Sequence, residues 1–109
     1  MTLLHEQHSN IVIAVADVIQ SVAANQKGFT WNKCWIYPSS GIDANGKLVA
    51  NSGDVYVGKK GAGKDVTPDL LSPTDGPLLY EVPVGFILRL EHIHIQGATV
   101  GDGVFISYT

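Results

Sequence analysis

Apolar and polar positions alternate most clearly in the run FTWNKCWIY, residues 29–37. Phe29, Trp31, Lys33, Trp35 and Tyr37 fall on one side, and Thr30, Asn32, Cys34 and Ile36 on the other. A period of two is the period of a strand, whose successive side chains point to opposite faces. The run FILRLEHIHI, residues 86–95, predicts the longest strand of the chain. VYV at 55–57, LLYEV at 78–82 and VFISY at 104–108 predict three shorter ones. Turn residues separate them: Asn25-Gln26-Lys27-Gly28, Pro38-Ser39-Ser40-Gly41, Asn51-Ser52-Gly53-Asp54 and Pro83-Val84-Gly85. Asn45-Gly46 is a two-residue hairpin signal between Ile42 and Leu48. Residues 58–77 predict a long surface loop anchored by Leu70-Leu71.

One segment is ambiguous. Ser9 as an N-cap and the alanines up to Ala24 suit a helix. Five of the eight residues from Ile11 to Val18 are β-branched, however, which favours two short strands with a bend near Ala16-Asp17. Residues 1–10 are polar and read as an arm or an edge strand. Strand signals thus recur about every ten residues, the spacing of an antiparallel sandwich or small jelly-roll-like barrel. The expectation is an all-β chain, one domain over residues 1–109.

Composition narrows the function more than the fold. With 109 residues, 45% of them hydrophobic and 16% charged, the chain can bury one core. Net charge is −3, and Lys59, Lys60 and Lys64 form the one lysine cluster. Nucleic-acid binding through phosphate neutralisation is not expected. Cys34 is the single cysteine, so an intrachain disulfide and a cysteine zinc knuckle are excluded; its place between Trp31 and Trp35 implies a buried, inert thiol. The start lacks the basic and apolar regions of a signal peptide, and Ile11–Ala16 is too short to span a bilayer. A soluble protein of a reducing cytoplasm, with no membrane partner, is expected.

Three patterns invite chemical readings. Gly58, Gly63 and Lys64 match the glycines and lysine of a phosphate-binding loop. The next position is Asp65 rather than Ser or Thr, and Pro68 and Pro73 prevent the helix whose N-terminus would cradle a phosphate. His92 and His94, two apart on the predicted strand, would point to one face as a metal-ligand pair does. Cupins use such a pair on a jelly-roll scaffold, but the glutamate that should follow is replaced by residues such as Thr99 and Val100, and no later histidine follows. His5, His8 and Glu81 are the candidate third ligands. The competing expectation is a histidine pair on a solvent or subunit face, with no metal and no other cofactor.

Catalysis finds little support: Ser39-Ser40 lacks the nucleophile-elbow glycines, and Asp54, Asp65 and Asp69 sit where aspartate usually forms turns. A non-enzyme is expected. Trp31, Trp35 and Tyr37 serve either as the core face of a strand or as anchors of an interface.

The second half of the chain resembles capsid decoration, or cement, proteins of tailed bacteriophages. The residues that carry the likeness are Val55, Tyr56, Val57 and Gly58, the Leu78-Leu79 pair, Pro83 and Gly85, and the terminal hydrophobic strand. It covers about residues 50–109. The resemblance implies a β module that assembles as a dimer or trimer, sits on the outside of the capsid and clamps neighbouring copies of the major capsid protein. Trp31, Trp35, Tyr37, His92 and His94 are the expected interface residues. Rival readings are a head–tail connector or tail component, and a small metal- or ligand-binding jelly roll.

Overall fold

The computed structural model describes residues 7–59, 69–82 and 88–109. Strands dominate it, and the chain is an all-β sandwich. In chain order they are β1 (Gln7–Val12), β2 (Thr30–Trp31), β3 (Lys33–Tyr37), β4 (Ser39–Ile42), β5 (Leu48–Ala50), β6 (Val55–Lys59), β7 (Asp69–Leu71), β8 (Leu78–Glu81), β9 (Leu88–Arg89), β10 (Ile93–Gly97) and β11 (Gly103–Tyr108). Short 3-10 turns occupy Ala24–Gln26 and Leu90–His92.

Two sheets carry the core, with all pairings antiparallel. The first has the order β1-β11-β3-β8, the second β10-β6-β7. Ile11, Cys34, Ile36, Tyr80, Val104, Ile106 and Tyr108 from the first share one hydrophobic cluster with Val55, Val57, Leu71, Ile93 and Ile95 from the second. Each fully buried Val or Ile side chain stabilises the fold by about 1.5–3 kcal/mol. The β2–β9 ribbon pairs Thr30 with Arg89 and Trp31 with Leu88, and the β4–β5 hairpin packs against β11.

Three strands, β11, β3 and β6, run against partners on both sides. At the start of β11 two segments come very close: a Cβ on Gly103 would run into the Ile11 carbonyl. Only glycine fits there. Beside it, buried Asn51 clasps Gly103 in both directions, its Nδ2 donating to the Gly103 carbonyl at 2.8 Å and its Oδ1 accepting from the Gly103 N–H at 3.0 Å. Asp102 accepts the Ser52 and Gly53 N–H groups at 2.9 and 2.8 Å. These bonds lock the 51–54 turn onto the start of the last strand.

Several expectations need correction. Past β1, the second strand shrinks to a single bridge, Gln20 opposite Ile95. The Gln20 side chain takes the place of a ladder: its Oε1 accepts the Ala14 N–H at 2.7 Å, and its Nε2 donates to the Val15 and Val18 carbonyls, both at 3.3 Å. The expected bend is present, with Asp17 at φ 60°. The hairpin after Ile42 is longer than two residues. Asp43 organises it, its Oδ1 accepting the Asn45 and Lys47 N–H groups at 2.8 and 3.0 Å, while Gly46 takes the left-handed φ of 78°. The 58–77 loop is not all loop: β6 runs on to Lys59 and Asp69–Leu71 is a strand of the second sheet, with Leu71 buried and Leu70 exposed. Residues 60–68 of that loop, residues 1–6 of the arm and the Pro83-Val84-Gly85 turn lie outside the described residues.

Two predicted strands, over residues 29–37 and 86–95, are each broken. A bend at Asn32 separates β2 from β3, so Trp31 is buried and then Cys34 and Ile36 are, rather than Trp35 and Tyr37. The 3-10 turn at Leu90–His92 likewise splits the long predicted strand into β9 and β10.

Candidate functional site

The register of the four-stranded sheet assembles a face that no single stretch of sequence spells out. Turned inward are Ser9, Ile11, Cys34, Ile36, Tyr80, Val104 and Ile106, all buried. The alternate residues point the other way. Across β1, β11, β3 and β8 they form one row, His8–Ser107–Trp35–Leu79. The adjacent row is Asn10–Phe105–Tyr37. A third places Lys33 beside Glu81 at the margin.

This face is aromatic at its centre and charged at one edge. Phe105 packs between two rings, with centroids 5.4 Å from His8 and 6.4 Å from Tyr37, both tilted as aromatic pairs prefer. Trp35 and Tyr37 are half-buried, and Leu79 remains 45% exposed. Ser107 is fully buried between His8 and Trp35 in the row, and its Oγ has no hydrogen-bond partner among the described residues. On the inward side, Tyr80 ties the two sheets together: its hydroxyl donates to Asp69 Oδ2 at 2.7 Å. Burial, and then that bond to Asp69, push the Tyr80 phenol well above its ordinary range. Burial raises the Tyr108 phenol as well.

The expected interface residues divide. Trp35 and Tyr37 belong to this face. Trp31 does not: it is 2% exposed, in the core, and its Nε1 lacks a hydrogen-bond partner among the described residues. His92 and His94 do not share a strand face. His92 ends the 3-10 turn, and its Nδ1 accepts the Arg89 N–H at 3.1 Å. His94 lies in β10 opposite Gly58, on the second sheet. The pair geometry of a metal site is therefore lost, because the turn rotates His92 out of the strand's period. His8 and Glu81, two proposed third ligands, are in the first sheet, and His5 lies outside the described residues. Among the described residues no cluster of three or more His, Cys, Asp or Glu side chains is placed to hold a metal.

The other motifs also resolve into structural roles. Gly58, the first glycine of the phosphate-loop match, is inside β6; Gly63, Lys64 and Asp65 are outside the described residues. Ser39 is buried, donating its hydroxyl to the Gly41 carbonyl at 2.8 Å and accepting the Gly41 N–H at 3.1 Å. Asp69, read from sequence as a turn former, instead receives the Tyr80 hydroxyl. Cys34 is buried. Among the described residues no helix is long and apolar enough to cross a membrane.

Sequence reasoning missed His8, Leu79, Phe105 and Ser107 as members of the face. The signal was the period of two in VFISY: Val104, Ile106 and Tyr108 join the core cluster, so Phe105 and Ser107 take the opposite face, although they too are buried. Compared with known protein families, curated proteins and solved structures, the chain matches none.

Proposed function

We propose that the chain is a structural virion protein that binds the outside of an assembled phage capsid and clamps neighbouring capsid subunits, without catalysing a reaction. The observation that carries the reading is the four-strand row His8–Ser107–Trp35–Leu79 with its aromatic neighbours Phe105 and Tyr37. Trp and Tyr set in a rigid sheet face supply large contact area at small entropic cost, which is what anchors protein interfaces. The charged pair Lys33 and Glu81 borders the row, as the polar rim of an interface does. The likeness to decoration proteins points the same way; of the residues that carry it, Val55, Tyr56, Val57 and Gly58 lie in β6, Leu78 and Leu79 in β8 and the terminal run in β11, while Pro83 and Gly85 lie outside the described residues. A module that grips two capsomers gains from linked contacts, the second forming at high effective concentration.

The direct test is co-sedimentation with expanded empty capsids of the phage that carries the gene. Stoichiometric pelleting, lost in Trp35→Ala and Leu79→Glu, is the expected result. Absence of binding at every ionic strength would refute the reading.

A further inference from the structure

The segment that carries the chain from the first sheet to the second is built as a hinge. β1 is an edge strand, paired with β11 alone, from Gln7 opposite Tyr108 to Val12 opposite Gly103. Its last ties on that side are at Ile13, whose N–H donates to the Asp102 carbonyl at 2.8 Å and whose carbonyl accepts from the Gly101 N–H at 3.0 Å. The next tie to the body is at Asp17, whose N–H donates to the Gly97 carbonyl at the end of β10, at 2.8 Å. Between the two, Ala14, Val15 and Ala16 are exposed. Among the described residues their backbone is held by one side chain, that of Gln20, which accepts the Ala14 N–H and donates to the Val15 carbonyl.

The bend suits these residues poorly. Asp17 closes it in the left-handed region, at φ 60°, which aspartate tolerates less well than glycine. Val15, Val18 and Ile19 are β-branched and favour extended backbone, yet all three stand exposed, Val15 by 57%. A short hinge under strain is the feature that invites strand exchange between copies. What β1 grips, by contrast, lies in the body of the domain: the ladder to β11, Gln26, whose Oε1 accepts from Ser9 Oγ at 2.6 Å, and Ser40, whose carbonyl accepts from Asn10 Nδ2 at 3.2 Å. A second body offers the same partners. The closed chain and an exchanged pair therefore share all these contacts, and the hinge and the protein concentration decide between them.

We propose that two copies of the chain exchange β1, each laying it against β11 of the other. The hinge straightens, Asp17 leaves the left-handed region, and Val15 of each copy covers the partner's Val15 where the two hinges cross. Such an exchange is two-fold and closed, so it yields a dimer and not a fibre. It also completes each aromatic face with the partner's His8, which takes the place beside Ser107 in the row. The inference does not rest on the capsid reading, and its test uses no capsid.

The test is refolding of the full chain over a range of concentrations, followed by size-exclusion chromatography with light scattering. The expected result is a dimer whose share rises with the concentration at refolding. Asp17→Gly relieves the closed bend, twice per dimer, and should shift the balance toward monomer about tenfold. Gln20→Ala removes the bonds that close the bend and should shift it toward dimer. Cysteines then locate the exchanged strand. His8 and Ser107 stand opposite each other in β1 and β11, at the roughly 4.5–5.5 Å Cα spacing that suits a disulfide, and Cys34 is buried. His8→Cys and Ser107→Cys chains, refolded together under mild oxidation, should give a covalent pair made of one of each, and far less covalent dimer when either is refolded alone. A chain that stays monomeric at every concentration overturns the proposal. So does a dimer whose mixed chains crosslink no better than each variant alone, or one that Asp17→Gly and Gln20→Ala leave unchanged.

Discussion

Residues 29–37 and residues 88–97 behave alike on paper and differ in how the chain bends them. Each begins in the small β2–β9 ribbon, where Trp31 pairs with Leu88. Each then leaves for a different layer, the first as β3 of the four-stranded sheet and the second as β10 of the three-stranded one. In both, the buried set changes parity on the way: from Trp31 to Cys34 and Ile36, and from Leu90 to Ile93 and Ile95. A continuous strand cannot do this, because its side chains alternate without exception. The first run makes the change with one bend at Asn32, kept within the sheet by its N–H donating to the Thr109 carbonyl at 2.7 Å and its carbonyl accepting from Val82 at 2.8 Å. The second uses a full 3-10 turn, pinned by Leu90 N–H to the Phe29 carbonyl at 2.9 Å and by the Gly28 N–H to Glu91 at 2.8 Å. The lesson is that a corner in a sandwich moves a strand between layers and resets which side chains meet the core. The two corners are joined to each other, so residues distant in sequence set one another's register.

Substitutions on either side of each corner test this directly. The largest expected effect is Trp31→Ala, at about 3–5 kcal/mol, since it empties a buried site where the two runs meet. Ile36→Ala and Ile95→Ala should each cost about 2–5 kcal/mol in denaturant unfolding. Their outward neighbours Trp35→Ala and His94→Ala should cost clearly less than the inward changes. A larger loss at Trp35 than at Ile36 would mean that β3 has the opposite parity, and the comparison would fail.

Tyr80→Phe comes next. Tyr80 pairs with Cys34 across β3 and β8, and the change removes its bond to Asp69, at about 1 kcal/mol. It also carries a pH signature. The folded state raises the phenol above its ordinary value of 10.0, so the stabilisation is complete below pH 10, where the unfolded chain is also protonated. Above pH 10 the unfolded chain ionises first and stability falls as pH rises. Thermal melts from pH 8 to 11 should show this loss in the wild type and a shallower one in Tyr80→Phe, the remainder coming from Tyr108, whose phenol is raised in the same direction.

The smallest effect is at the second corner. The Gly28 N–H, donating to the Glu91 carboxylate, lowers the Glu91 pKa below its ordinary value of 4.5. Its contribution is present above pH 4.5 and declines as pH falls through the folded value. Glu91→Gln should flatten that part of the acid melting profile. Asn32→Gln, which leaves Glu91 and its bond from Gly28 in place, should not flatten that part of the profile.

What the chain order of residues determined is local: strand material in VYV, LLYEV and VFISY, a turn at Asn51–Asp54, a bend at Ala16-Asp17, and a cysteine among core neighbours. These follow from propensity, period and backbone permission, which act over a few residues. Trp35 and Tyr37 were legible as interface candidates for the same reason. Tertiary structure alone decided that Trp31 parts company with them, that His92 and His94 separate, and that Asp69–Leu71 becomes a strand beside β6. It also decided that His8, Ser107, Trp35 and Leu79 make one row. Each of these depends on pairing between segments tens of residues apart. Register is set by which partner strand arrives and where a corner resets parity, and that information is not contained in any window short enough to read as a pattern.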